Sequence, residues 1–180
     1  MANPVSVSKA LTRLVGEISL NRPFTGLHEG AFLSLVWTWQ RLEQVGRRFF
    51  PGHGITEAQF NVLMILDDYG GRRFRQHELA EILVVNRASA GSVLEKMERS
   101  GWIERKPDPD DRRAMLVSLS RAGKAKLAEV RGPYYELLGR IFEGVPKREL
   151  QELILLCDRL RRRIDEVASD PTGGKEAGPA

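Results

Sequence analysis

The chain has 180 residues, 42% of them apolar and 7% aromatic, with a net charge of +4. That is the size and composition of one globular domain with material for a core. No apolar run approaches the ~20 residues of a membrane span, Met1-Ala2-Asn3-Pro4-Val5-Ser6 lacks the basic-then-apolar order of a secretion signal, and a single cysteine, Cys157, excludes an intramolecular disulfide framework and fits a reducing cytoplasm.

In chain order, Leu11, Leu14, Val15 and Ile18 fall at helical spacing, predicting a short amphipathic helix broken at Asn21-Arg22-Pro23. Such a helix cannot bury its face alone and must dock on a partner surface. A longer helix is predicted from Leu27 to Phe49 through Phe32, Leu35, Val36, Trp39, Leu42 and Val45, ended by Pro51-Gly52-His53-Gly54. Thr56-Glu57-Ala58-Gln59 reads as a capping box. The helix it opens carries Phe60, Leu63, Met64 and Leu66 as a buried stripe and closes at Tyr69-Gly70-Gly71. A compact helix from Arg75 to Leu83, with Leu79, Ala80, Ile82 and Leu83 inward, is followed closely by a second from Asn86 to Ser100, ended by Gly101. Two short helices at so tight a turn predict a helix-turn-helix.

In the second of these helices Ala90, Val93, Leu94 and Met97 form the buried seam. Arg87, Ala88, Ser89, Gly91, Ser92 and Lys96 are left outside, a face bare enough for another macromolecule to approach the backbone. A two-stranded hairpin follows. Trp102 to Lys106 is one strand, Pro107 to Arg113 the tip, and Ala114 to Leu119 the other, with Met115, Val117 and Leu119 on its buried face. A small-faced helix suits a DNA major groove, and an arginine-tipped hairpin suits the neighbouring minor groove. Beyond Ser120, a predicted N-cap, one helix runs to about Phe142, kinked at Gly132-Pro133. Another starts at Pro146 in a first-turn position and aligns Leu150, Leu153, Ile154, Cys157, Leu160 and Ile164.

The charge distribution supports the DNA reading. Residues 72–124 hold 12 Lys/Arg against 8 Asp/Glu, and the remaining 16 basic and 16 acidic residues cancel. The whole positive excess lies in the segment expected to meet phosphate. Long terminal helices with uncovered apolar faces predict a homodimer.

Several linked motifs carry a family resemblance: Ile55-Thr56-Glu57-Ala58-Gln59-Phe60-Asn61-Val62-Leu63, Glu78-Leu79-Ala80-Glu81, the run from Leu94 to Arg105, and Asp108-Pro109-Asp110-Asp111-Arg112-Arg113-Ala114. With Leu119-Ser120-Arg121-Ala122-Gly123-Lys124, similar to a "Leu-Thr-x-x-Gly" helix start, they resemble the MarR family of bacterial transcriptional regulators over roughly residues 30–165. The resemblance implies a mainly α protein with a small β-hairpin wing (α+β), a winged helix-turn-helix whose N- and C-terminal helices form a dimerisation domain. It implies a homodimer on pseudo-palindromic double-stranded DNA, usually a repressor, released by a small anionic or phenolic effector or by thiol oxidation.

Carried onto this chain, the organisation is an extension over 1–26, a dimerisation region over 27–54 and 120–168, a DNA-binding domain over 55–119, and a disordered tail over 169–180. The resemblance makes residues 86–100 the major-groove reader, has Asp111 hold the wing by pairing with arginine, and sends Arg113 into the minor groove beside Arg112. Arg75 stands where the family often caps a helix with Thr or Ser, so a phosphate contact is expected there. Gly91 and Ser92 replace what are Thr and Arg in many members.

Each of these residues also has a plainer reading. Arg112 and Arg113 could be a solvated tip paired with Asp110 or Asp111, and Arg87 and Lys96 could simply solubilise their helix. Trp37, Trp39, Arg47 and His53 could border an effector cleft, or the tryptophans could pack. Cys157 reads as a buried thiol, with a redox switch as the rival. A winged-helix protein–protein module is a second rival. His28, His53 and His77 lie too far apart for metal-ligand spacing. No phosphate loop, nucleophile elbow or histidine–nucleophile pair emerges, so neither a cofactor nor an enzyme is expected.

Overall fold

A computed structural model describes residues 4–82, 87–111 and 113–170, except the side chains of Pro4, Arg87, Ala88 and Ser89. The chain divides into two compact units, Met1–Val130 and Arg131–Ala180.

The first unit opens with α1 (Pro4–Glu17), whose Leu14 is buried, and α2 (Leu27–Gly52). The junction between them is tied by Glu29. Its carboxylate accepts the Thr25 amide (2.7 Å) and hydroxyl (3.0 Å) and two bonds from the Arg22 guanidinium (2.5 and 3.1 Å). The Arg22 hydrogen bond foremost, then the Thr25 amide, lower the Glu29 pKa from the ordinary 4.5 to about 2. Helix α2 runs three residues past the predicted Phe49 and takes Pro51 into its last turn.

Helix α3 (Glu57–Asp68) begins with the expected capping box: Gln59 N–H donates to Thr56 Oγ1 (3.2 Å), and Thr56 N–H donates to Gln59 Oε1 (2.9 Å). Phe60, Val62, Leu63 and Leu66 are buried on it, while Met64 is only half-buried. A two-residue strand, β1 (Phe74–Arg75), leads into α4 (Gln76–Ile82) and then α5 (Arg87–Arg99). Leu79 and Ala80 of α4 are buried, but Ile82, expected inward, is 41% exposed; Leu83 and Asn86 lie outside the described residues. On α5 Ala90, Leu94 and Met97 are buried, as their 3/4 spacing requires.

Strands β2 (Ile103–Pro107) and β3 (Met115–Leu119) form the hairpin, and β1 joins it antiparallel in the order β1-β3-β2. Phe74 pairs with Val117 and Arg75 with Leu116 across β1–β3, while Arg105 pairs with Val117 across β2–β3. Val117 is fully buried, but Met115, expected on the same covered face, is 36% exposed where the strand reaches past the helices toward the tip.

Helix α6 (Arg121–Ile141) is capped as expected, with Ser120 Oγ accepting the Gly123 amide at 2.9 Å. The same hydroxyl donates to the Gly101 carbonyl (2.6 Å), and Ser120 N–H donates to Trp102 O (3.1 Å), so the cap also ties α6 to the end of α5. A Cβ at Gly123 would stand 2.0 Å from the Trp102 carbonyl oxygen, which only glycine avoids. In the second unit α7 (Lys147–Ser169) starts after Pro146, which is its N-cap rather than its first helical residue. None of its residues is buried, and Leu153, Ile154, Leu156, Leu160 and Ile164 are exposed. Residues 171–180 of the expected tail lie outside the described residues.

Candidate nucleic-acid interface

Helix α5 and the wing are set on one frame, and the residues that set them are adjacent in the chain. Arg75 ends β1 and precedes α4. Its amide donates to Glu78 Oε2 (2.6 Å), the half of a capping box that a Glu three residues on supplies. The Arg75 side chain turns to the wing, where Nε donates to Asp108 Oδ2 at 2.7 Å.

Asp108 is 4% exposed at the root of the tip. Its other oxygen accepts the Asp110 amide (2.9 Å), the self-bonding turn that Asp favours. That backbone bond, followed by Arg75, lowers the Asp108 pKa despite its burial, and the hydrogen bond to Asp108 raises that of Arg75. Asp108 is thus the aspartate bonded to Arg75, and the Asp111 charge adds a weaker pull on the same guanidinium. Asp111 shapes the tip differently: its carboxylate accepts the Arg113 amide (2.9 Å) and its carbonyl accepts the Ala114 amide (2.9 Å). Asp108 lay inside the motif quoted from the sequence, but nothing local marks which aspartate of Asp108-Pro109-Asp110-Asp111 turns inward.

One strand position deeper, Arg105 of β2 points to the covered face. Its NH2 donates to Gln76 Oε1 (2.7 Å), and NH1 reaches Glu98 of α5 at 3.4 Å. Arg75, Gln76, Arg105, Asp111 and Arg113 line a cavity of about 500 Å³ between α4 and the wing. Arg113 is exposed, and its side chain makes no ion pair among the described residues. On α5, Ser92 and Lys96 are exposed, whereas Gly91, expected outside, is half-buried, its Cβ position 3.1 Å from Gln76 Nε2. The side chains of Arg87, Ala88, Ser89 and Arg112 lie outside the described residues.

The four residues expected at an effector cleft do not converge. Trp37 Nε1 donates to Glu17 Oε2 (2.9 Å), and Arg41 lies 5.6 Å from its ring centre. Both line a cavity of about 510 Å³ with Gln44 and Arg48, a lining that does not include Trp39, Arg47 or His53. Trp39 is 62% exposed, Arg47 pairs with Glu43 (2.8 Å), and His53 lies against Phe49 with ring centres 4.6 Å apart and planes tilted by 50°. Cys157 is half-buried. Among the described residues no group of His, Cys, Asp or Glu could hold a metal, and no helix is long and apolar enough to cross a membrane.

The model of the MarR family matches residues 55–115, from the residue before the α3 cap to the start of β3. The transcriptional repressor YetL of Bacillus subtilis is 26% identical over 133 residues, 74% of this chain and 80% of YetL. A probable transcriptional regulator from Pseudomonas aeruginosa of known crystal structure is 30% identical, with 66% of this chain and 92% of that one covered and a TM-score of 0.57. A mutant MarR from Escherichia coli, crystallised with operator DNA, shares the fold at 24% identity, covering 74% and 94%, with a TM-score of 0.64. A helix-turn-helix braced to a three-stranded wing and capped by a Ser-x-x-Gly helix start, with these relatives, makes this chain a member of the MarR family of transcriptional regulators.

Proposed function

We propose that the protein is a cytoplasmic repressor that binds a pseudo-palindromic operator as a homodimer, acts by binding alone, and releases the DNA when a small effector binds. The observation that carries this reading is the common mounting of α5 and the wing. Lys96 and Ser92 on the helix and Arg113 on the tip are exposed, within the one segment that holds the chain's net positive charge. In each protomer α5 enters a major groove and Arg113 the adjacent minor groove, where narrow width concentrates negative potential. Arg75 positions the wing through Nε on Asp108, and the rest of its partly exposed guanidinium contacts phosphate.

The dimer reading rests on α7, which exposes its apolar residues along 23 residues of helix. A second copy covers them and sets the two α5 helices one turn of B-DNA apart, ~34–36 Å. The cavity beside Trp37 is lined by Glu17, which already pairs with Arg41 at 3.4 Å, so Arg48 is the cation that would meet an anionic aromatic effector there.

The test is a selection of duplexes from a randomised pool, followed by anisotropy titration and light scattering. The expected result is a dimer whose affinity for the selected duplex falls about 10³-fold between 50 and 200 mM salt. A stable monomer indifferent to every duplex at low salt would overturn the reading. For the effector, benzoate is expected to weaken binding by the wild-type protein, and equal weakening of Trp37→Ala would remove the cavity from the proposal.

A further inference from the structure

We propose that Gln76 and Arg105 form a polar clamp that fixes the angle between the wing and α5, so that they set operator discrimination without touching DNA. The proposal rests on the DNA-binding reading above.

Arg105 is a charged residue on the inner face of a short strand. Its partner across the ladder, Val117, is fully buried, and the Arg105 side chain itself is only 16% exposed. Placing a guanidinium there costs desolvation that an apolar residue would avoid, so its geometry is informative. One nitrogen donates to Gln76 at the start of α4 (2.7 Å), a second approaches Glu98 near the end of α5 (3.4 Å), and Nε is buried with no hydrogen-bond partner among the described residues. The planar fork therefore spans wing, α4 and α5 in one rigid group.

Gln76 completes the connection. Its carbonyl oxygen accepts from Arg105, and its Nε2 sits 3.1 Å from where a Cβ on Gly91 would project. Gly91 and Glu98 are seven residues apart, two turns along one face of α5. The clamp thus faces the recognition helix at two levels, with the Gln76 amide over the open Gly91 position and Arg105 reaching toward Glu98. Gly91 is the gap that lets the Gln76 amide lie against the helix, which explains a glycine inside a 13-residue helix where alanine would be the better helix former. Neighbouring Arg75 holds the same wing one step further out, at Asp108. Loss of Arg75 frees the tip, whereas loss of the Gln76–Arg105 pair frees the angle.

A change in that angle moves α5 and Arg113 out of register with successive grooves. It should cost affinity for the preferred duplex, where both must fit, and leave general phosphate attraction intact. The measured quantity is therefore the ratio of affinities for a duplex selected by the wild-type protein and a scrambled duplex of equal length, at one salt concentration. Gln76→Ala and Gly91→Ala are each expected to lower this ratio about 5- to 20-fold, with affinity for the scrambled duplex unchanged. Gln76→Glu keeps the acceptor, so it should keep the ratio even if its added charge weakens binding to both duplexes equally.

The double variant Gln76→Ala/Gly91→Ala should lose no more than either single variant, because both act on one contact. Circular dichroism and the melting temperature establish that each variant is folded, and Arg105→Met replaces any that is not. A preserved ratio in folded Gln76→Ala or Arg105→Met, or an equal loss on both duplexes, overturns the clamp. Failure of the wild-type protein to prefer any duplex overturns the DNA-binding reading instead.

Discussion

At Gly123 the backbone of one element passes where a side chain would be. The Trp102 carbonyl oxygen stands 2.0 Å from the missing Cβ, and it is itself fixed by accepting the Ser120 amide at 3.1 Å. Because the obstacle is backbone, it cannot rotate away. Gly123→Ala is expected to destabilise the fold by about 2–3 kcal/mol, the scale of overpacking in a tight site, read as a lowered urea midpoint with unchanged slope. Arg113 contrasts with it: exposed and without an ion pair among the described residues, it contributes little to stability. Arg113→Ala should leave the melting temperature where it was while weakening binding to the selected duplex by about 1–3 kcal/mol. An unaffected affinity would take the wing tip out of the minor groove.

Among the elements, long periodic helices were readable from the sequence because a buried stripe at 3/4 spacing leaves a strong pattern, and caps at Thr56 and Ser120 mark their starts chemically. Strand β1 was not, since two residues have no period; its existence depends on Phe74 meeting Val117 from more than forty positions away. The same limit applies at the site. The motif Asp108 to Arg113 was visible, but which aspartate faces Arg75 is decided by the turn that Asp108 makes with the Asp110 amide. Arg105 was quoted within a motif, yet strand alternation alone cannot say that a cation occupies the covered face. Pattern also failed at α2, which takes in Pro51 one residue before its end although that residue has no N–H to donate to the turn before it.

The junction before α2 gives a test at this scale. Glu29 titrates near 2 in the folded protein against an ordinary 4.5. A depressed carboxylate contributes stability that is fully present above about pH 4.5 and is lost as pH falls toward 2. Residues 22–30 should therefore loosen between those values before α3 does, observable as early loss of amide protection at Thr25. Glu29→Gln is expected to remove that step, and loosening of Thr25 at neutral pH in the wild-type protein would contradict the assignment.

For the molecule as a whole, the exposed apolar side of α7 makes assembly the first question. Replacing Leu160 and Ile164 together by glutamate places charge on the expected contact and should raise the dimer dissociation constant about 100-fold or more, measured by sedimentation. DNA binding should fall with it, because one α5 helix alone gives up half of the groove contacts. A doubly substituted protein that still sediments as a dimer would move the interface elsewhere.

The adjacency of Arg75 and Gln76 has a practical corollary for recombining such proteins. Both anchors of the wing sit on one peptide unit that precedes α5, while their receivers, Asp108 and Arg105, follow it. A chimera that transplants only residues 103–119 into a relative would strand one half of each pair, and one that moves only the helix over 87–99 would part Gly91 and Glu98 from Gln76 and Arg105. A graft intended to carry DNA preference from this chain into another scaffold must take the continuous stretch from Phe74 to Leu119.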